Sequence, residues 1–212
     1  MRTNQLIDAL VQDQAVAPWR LERSVGLAVV VGSIVAGTLF FLGIGFRPDI
    51  GQALETLRFP LKFVVTLSLA VTATGLVLRL ARPGAPADLW GWALAVVPVL
   101  LALGVVAELL ATPAATWASS LVGSNSKVCL TVIPLLATGP LACLLIALRR
   151  GAPTRPGLAG AVAGLAASGI AATFYASNCT DDSGLFVATW YPLATGMVVL
   201  AGYLIGARCL RW

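Results

Sequence analysis

Six apolar runs, each close to the roughly 20 residues needed to cross a hydrocarbon core, occupy about residues 25–46, 60–80, 90–110, 128–148, 157–175 and 185–206. Inside lipid every backbone polar group must be satisfied by the chain itself, and an α-helix does this segment by segment. The runs therefore predict an all-α membrane protein of six transmembrane helices. Only 11% of the residues are charged, against about 25% in soluble domains, and no stretch is polar and long enough to fold as a separate soluble domain. The expected organisation is a short amphipathic tail over 1–24 followed by a transmembrane domain over 25–212.

The basic residues orient these spans. Arg2, Arg20, Arg23, Arg79, Arg82, Arg149, Arg150, Arg155, Arg208 and Arg211 fall on one side of the predicted topology, and only Arg47, Arg58, Lys62 and Lys127 on the other. Because cytoplasmic loops carry the excess of Lys and Arg, ten against four puts both termini in the cytoplasm. The net charge of +5 is thereby a topological signal and not a nucleic-acid footprint; no direct contact with nucleic acid is expected. In the tail, Leu6, Ile7, Leu10 and Val11 make one apolar stripe on a helix of two to three turns that Thr3 or Asn4 would cap and Pro18 would end. So short a helix is unstable alone in water, and it needs a surface: the lipid interface or the groove of a partner.

Packing leaves its own marks. Gly160, Gly164 and Ser168 on the fifth span, and Ser33 with Gly37 on the first, are small-residue ladders that let backbones approach. Pro98, Pro134 and Pro140 fall within spans, where each removes a ladder hydrogen bond and favours a kink. In the first outer connection, after Arg47-Pro48-Asp49, Ile50, Ala53, Leu54 and Leu57 space as one face of a short surface helix.

Few groups are left for chemistry. There is no histidine, which removes its metal and acid–base roles, and no ionisable residue lies at the centre of a span, which argues against ion coupling or a proton relay. Lys62 and Glu108 lie at similar depth near the outer ends of the second and third spans; they either pair or, the favoured reading, snorkel separately to the interface. Of four cysteines, Cys143 and Cys209 belong to the inner side. Cys129 opens the fourth span on the outer side, where a helix N-terminus and Lys127 favour the thiolate. Cys179 lies in an acidic outer loop with Asp181 and Asp182, whose charge should raise its pKa. Aromatic collars, Phe174 and Tyr175 before this loop and Phe186, Trp190 and Tyr191 after it, read as the two membrane edges, with the thiol at a surface that solutes reach. A pair such as Cys129 and Cys179 can close a disulfide, regulatory or permanently structural, or capture a soft metal ion. No cofactor is implied.

Several stretches resemble the NrsF-type membrane anti-sigma factors of Proteobacteria: Leu6-Ile7-Asp8-Ala9-Leu10, Arg47-Pro48-Asp49, Ala152-Pro153-Thr154-Arg155-Pro156-Gly157-Leu158-Ala159-Gly160, Tyr175-Ala176-Ser177-Asn178-Cys179, Phe186-Val187-Ala188-Thr189-Trp190-Tyr191 and the terminal Arg211-Trp212. The resemblance implies a regulator, not an enzyme, in the bacterial inner membrane that holds an extracytoplasmic-function sigma factor in the cytoplasm and releases it under heavy-metal or redox stress. It places sensing on Cys129 and Cys179 and sigma-factor binding on the tail with Leu6, Ile7, Leu10 and Val11. Asn178 stands where relatives often carry a histidine, so a scheme that uses that imidazole as a ligand does not transfer. The rival readings are a membrane thiol oxidoreductase, which calls for a CxxC exchange pair, and a small transporter, which calls for polar groups at mid-bilayer; neither feature occurs in the sequence.

Overall fold

The computed structural model describes residues 21–82 and 88–210, and every regular element in them is helical. The elements are α1 (Leu21–Gly43), α2 (Ile50–Leu54), α3 (Arg58–Leu80), α4 (Asp88–Leu94), α5 (Val96–Ala111), a 3-10 turn (Ala114–Thr116), α6 (Trp117–Val122), α7 (Ser126–Leu148), α8 (Pro156–Ala176) and α9 (Gly184–Cys209). Among the described residues six helices are long and apolar enough to cross a membrane, α4 and α5 together making the third. The spans thus lie where the hydropathy puts them, except that α1 begins at Leu21, inside the segment assigned to the tail. Leu6, Ile7, Leu10 and Val11 lie outside the described residues, as do Arg211 and Trp212.

The third span breaks at Ala95 for a local reason. Pro98 has no amide for the carbonyl of Leu94, and its ring crowds that carbonyl, so α4 ends at Leu94 and α5 starts two residues later. Pro134 and Pro140 leave α7 unbroken.

α8 is the centre of the bundle. It packs on α9, α3, α7 and α1, and 72% of its most apolar window is buried, against 11% for the third span. Its sequence of Gly and Ala explains this, because neighbouring backbones can come close only where side chains are absent. A Cβ on Gly160 would strike the Gly202 carbonyl and come within 2.9 Å of the Gly206 Cα; one on Gly164 would lie 2.8 Å from the Val198 carbonyl oxygen. On the first span the close contacts come from Gly32, against Pro140, and Gly37, against the Phe174 ring. Ser33 is only half-buried, so the ladder there runs through Gly32 and not through Ser33. Leucines and valines on the outer faces of α1, α5 and α9, such as Leu42, Leu103 and Leu200, are exposed, as suits helices whose solvent is lipid.

Candidate functional site: a sealed thiol pair under an ionic clamp

Both thiols of interest lie at one end of the bundle, where the connections around 44–49, 112–125 and 177–183 meet. Cys129 is in the first turn of α7, its amide donating to the Asn125 carbonyl at 2.8 Å. Cys179 follows α8, its amide donating to the Tyr175 carbonyl at 3.0 Å. Cys129 and Cys179 both belong to the buried core that also holds Tyr175, Phe186 and Tyr191. They are not bonded to each other: all four cysteines are free. Cys143 is half-buried along α7, and Cys209 is exposed at the opposite end.

Two expectations from the sequence are corrected here. Cys129 is 0% exposed and Cys179 1%, so neither thiol lies where solutes reach it. The aromatic collars also face the interior in part: Tyr175 and Phe186 are fully buried and Tyr191 nearly so, while Phe174 and Trp190 are half-buried. Burial pushes the Cys179 thiol up, opposed chiefly by the Lys62 ammonium and the Asp181 backbone; the Asp181 charge raises it further, but only as a lesser cause. Lys127, the cation expected beside Cys129, is exposed.

The loop over the sulfurs is held by charge. Lys62, 2% exposed, donates to the Cys179 carbonyl at 2.9 Å and pairs with Asp182 Oδ1 at 2.6 Å. Arg47 reaches the same carbonyl at 3.3 Å and Asp182 Oδ2 at 2.9 Å, and its other nitrogens grip Asp49 at 2.7 and 2.6 Å. The Phe59 ring lies 5.4 Å from Lys62 Nζ and 5.6 Å from Arg47 Cζ, within range for cation–π attraction. Two cations and two carboxylates neutralise one another, as burial of charge requires. The Arg47 guanidinium beside Asp49 holds that carboxyl down at about 2, and Asp49 in turn raises Arg47.

Neither alternative for Lys62 and Glu108 holds: both side chains are buried instead of snorkelling, and they do not pair with each other. Lys62 turns to Asp182, a nearer carboxylate that the fold brings in from the α8–α9 loop. Glu108, 4% exposed, instead accepts from Ser183 Oγ at 3.0 Å and from the Leu185 amide at 3.1 Å, with Arg58 3.9 Å away. Ser183 is the N-cap of α9, accepting from the Phe186 amide. The third span thus satisfies one open amide of the sixth helix while the cap residue satisfies the next. A cavity of about 240 Å³ separates the Lys62 and Glu108 sides.

On the far flank Asp181 accepts from the amides of Ser124 and Asn125 at 3.0 and 2.8 Å and from Asn125 Nδ2 at 3.0 Å. Gly123 makes this approach possible: its φ is +58°, and a Cβ there would enter the Phe186 ring and lie 2.9 Å from the Asp181 carboxyl carbon. Asn178 donates to the Gly45 carbonyl at 3.0 Å and ties the loop to the α1–α2 connection. Arg47, Tyr175, Tyr191 and the Ser124–Asn125 clasp were not foreseen as parts of the site. The Arg47-Pro48-Asp49 turn and the polar Ser124-Asn125-Ser126 run were the only signals of two of them.

Fold and site together define a polytopic helical membrane protein with a sealed, unbonded dithiol at one end of its bundle. The chain matches the family model described as "Negative regulator of sigma F" over residues 10–212. It is 36% identical to the anti-sigma-F factor NrsF of Caulobacter vibrioides and 34% identical to the probable anti-sigma-F factor NrsF of Azospira oryzae, each alignment covering 100% of both chains. No solved structure matches it. This protein belongs to the NrsF family.

Proposed function

We propose that this protein is a membrane anti-sigma factor: its tail, residues 1–24 with Leu6, Ile7, Leu10 and Val11, holds an extracytoplasmic-function sigma factor at the cytoplasmic face of the bacterial inner membrane. The six-span domain responds on the other face, through Cys129 and Cys179, to heavy-metal or redox stress, and the sigma factor is then released. The role is regulatory, not catalytic. The observation that carries the reading is the pair of free thiols buried together beneath one polar loop.

Two routes suit such a pair. Oxidation joins the sulfurs and passes two electrons to the oxidant and two protons to solvent. Capture of a soft ion exchanges the two thiol protons for two metal–sulfur bonds, as thiolates favour. Among the described residues no group of three or more His, Cys, Asp or Glu gathers, so an ion held here has two sulfurs as its side-chain ligands. Either route moves the α7 start relative to the α8–α9 loop, and about 1.4 kcal/mol of coupling to the tail suffices for a tenfold loss of affinity. The test is recovery of the sigma factor on the full-length protein and on Cys129→Ser/Cys179→Ser, with and without cadmium or a disulfide-forming oxidant. Loss of partner from the parent protein alone supports the reading. An equal response from both proteins removes the cysteines from it.

A further inference from the structure

We infer that Lys62 and Arg47 are positioning residues for Cys179: acting on its carbonyl and on Asp182, they hold the 177–183 loop closed over the thiol pair and so govern when the sulfurs meet a reagent. The consequence for signalling rests on the reading above; the control of access does not.

The geometry is specific to that loop. The Cys179 carbonyl accepts from two cations that come from different elements, Lys62 of α3 and Arg47 of the α1–α2 connection. Asp182 pairs with both: its Oδ1 takes Lys62 Nζ at 2.6 Å and also accepts from Arg47 Nη1 at 3.1 Å, and its Oδ2 accepts from the same Nη1 at 2.9 Å. Arg47 is held from behind by Asp49, and its amide donates to the Ser177 carbonyl at 3.2 Å. On the other flank Asp181 is fastened to Ser124 and Asn125 at the start of α7, the helix that carries Cys129. With the loop fixed on both flanks and the sulfurs 0% and 1% exposed, a reagent reaches them only when the loop lifts. Lifting separates Asp182 from Lys62, and a buried ammonium without a partner is strongly disfavoured. Lys62 therefore moves with the loop or opposes its opening. Because Lys62 lies in the first turns of a 23-residue span, opening the loop also loads α3, which packs on the central α8.

The experiment measures thiol modification by N-ethylmaleimide in native membranes, on full-length protein lacking the two other cysteines (Cys143→Ala, Cys209→Ala). In the parent, labelling of Cys129 and Cys179 is slow. Lys62→Met and the near-isosteric Asp182→Asn each raise the Cys179 rate by more than about tenfold, because removing one buried partner weakens the closed state by at least that factor. The conservative Lys62→Arg restores a rate within about threefold of the parent, and the double variant is no faster than the faster single one, since both act through one pair. Arg58→Met, half-exposed in the same span, leaves the rate unchanged. Rates in Lys62→Met and Asp182→Asn equal to the parent overturn the proposal, as does a Lys62→Arg rate matching Lys62→Met. Should Lys62→Met fail to reach the membrane, Asp182→Asn decides alone. Partner recovery is scored on the same samples. Faster labelling with sigma-factor retention indifferent to reagent and variant refutes the anti-sigma reading and leaves the positioning role intact.

Discussion

Replacing Glu108 with alanine tests how the loosely packed third span is fastened to the sixth. Apart from this carboxylate, Val97 is the only other buried residue of α5, so apolar packing contributes little there. The substitution removes two hydrogen bonds to a charged acceptor, from Ser183 Oγ and the Leu185 amide. Such bonds contribute about 1.5–3 kcal/mol each. Two features lower the sum: Ser183 still caps the Phe186 amide, and the adjoining cavity of about 240 Å³ admits water to the freed donors. The Arg58 contact at 3.9 Å adds little, because that guanidinium is half-exposed and screened. The expected loss is about 2–3 kcal/mol, which for a chain of this size corresponds to a fall in melting temperature of about 4–12 °C. Glu108→Gln keeps an acceptor oxygen and loses about 1 kcal/mol. Thermal unfolding in mild detergent reads the total, and hydrogen exchange at the Leu185 amide reads the specific bond. If Glu108→Ala melts within about 1 °C of the parent, or if Leu185 exchange is unaltered, the carboxylate does not fasten the two spans and the reasoning fails.

Gly160→Val drives a branched side chain into the backbone of α9 at Gly202 and Gly206, where no rotamer change can make room; a loss at or above the usual 1–3 kcal/mol of overpacking is expected, and folded yield after detergent extraction equal to the parent's would contradict the α8–α9 packing. Alkaline pH offers a separate check. The Cys179 thiol is raised by burial above its ordinary 9.0, so its stabilising contribution is complete below that pH and declines as pH rises through and beyond it. The parent should therefore lose stability above about pH 9 more steeply than Cys179→Ala, as read from melting temperatures on matched samples; superimposable alkaline limbs would show that the thiol is not sealed in the folded protein.

The number, length and placement of the spans were legible in the sequence because lipid is a uniform solvent. Each helix must satisfy its own backbone and present apolar side chains, and both demands are local. Pro98 marked the break in the third span for the same reason, since a proline acts on the carbonyl four residues earlier. The glycines of the fifth span announced close packing, and in the structure that span is the centre of the bundle. The partners of the ionisable groups were not legible. Depth along a span can be counted from sequence, and Lys62 and Glu108 do line one cavity; azimuth around the bundle cannot. The packing of α3 on α8 and of α8 on α9 carries Asp182 to Lys62, and Arg47 meets Asp182 across 135 residues of chain. The same packing buried Tyr175, Phe186 and Tyr191 and closed the loop over both sulfurs. The sequence alone determined which residues lie near one end of a six-helix membrane protein. Tertiary structure decided which of them touch and whether water reaches them, because burial and pairing depend on neighbours that are close in space and far apart in the chain.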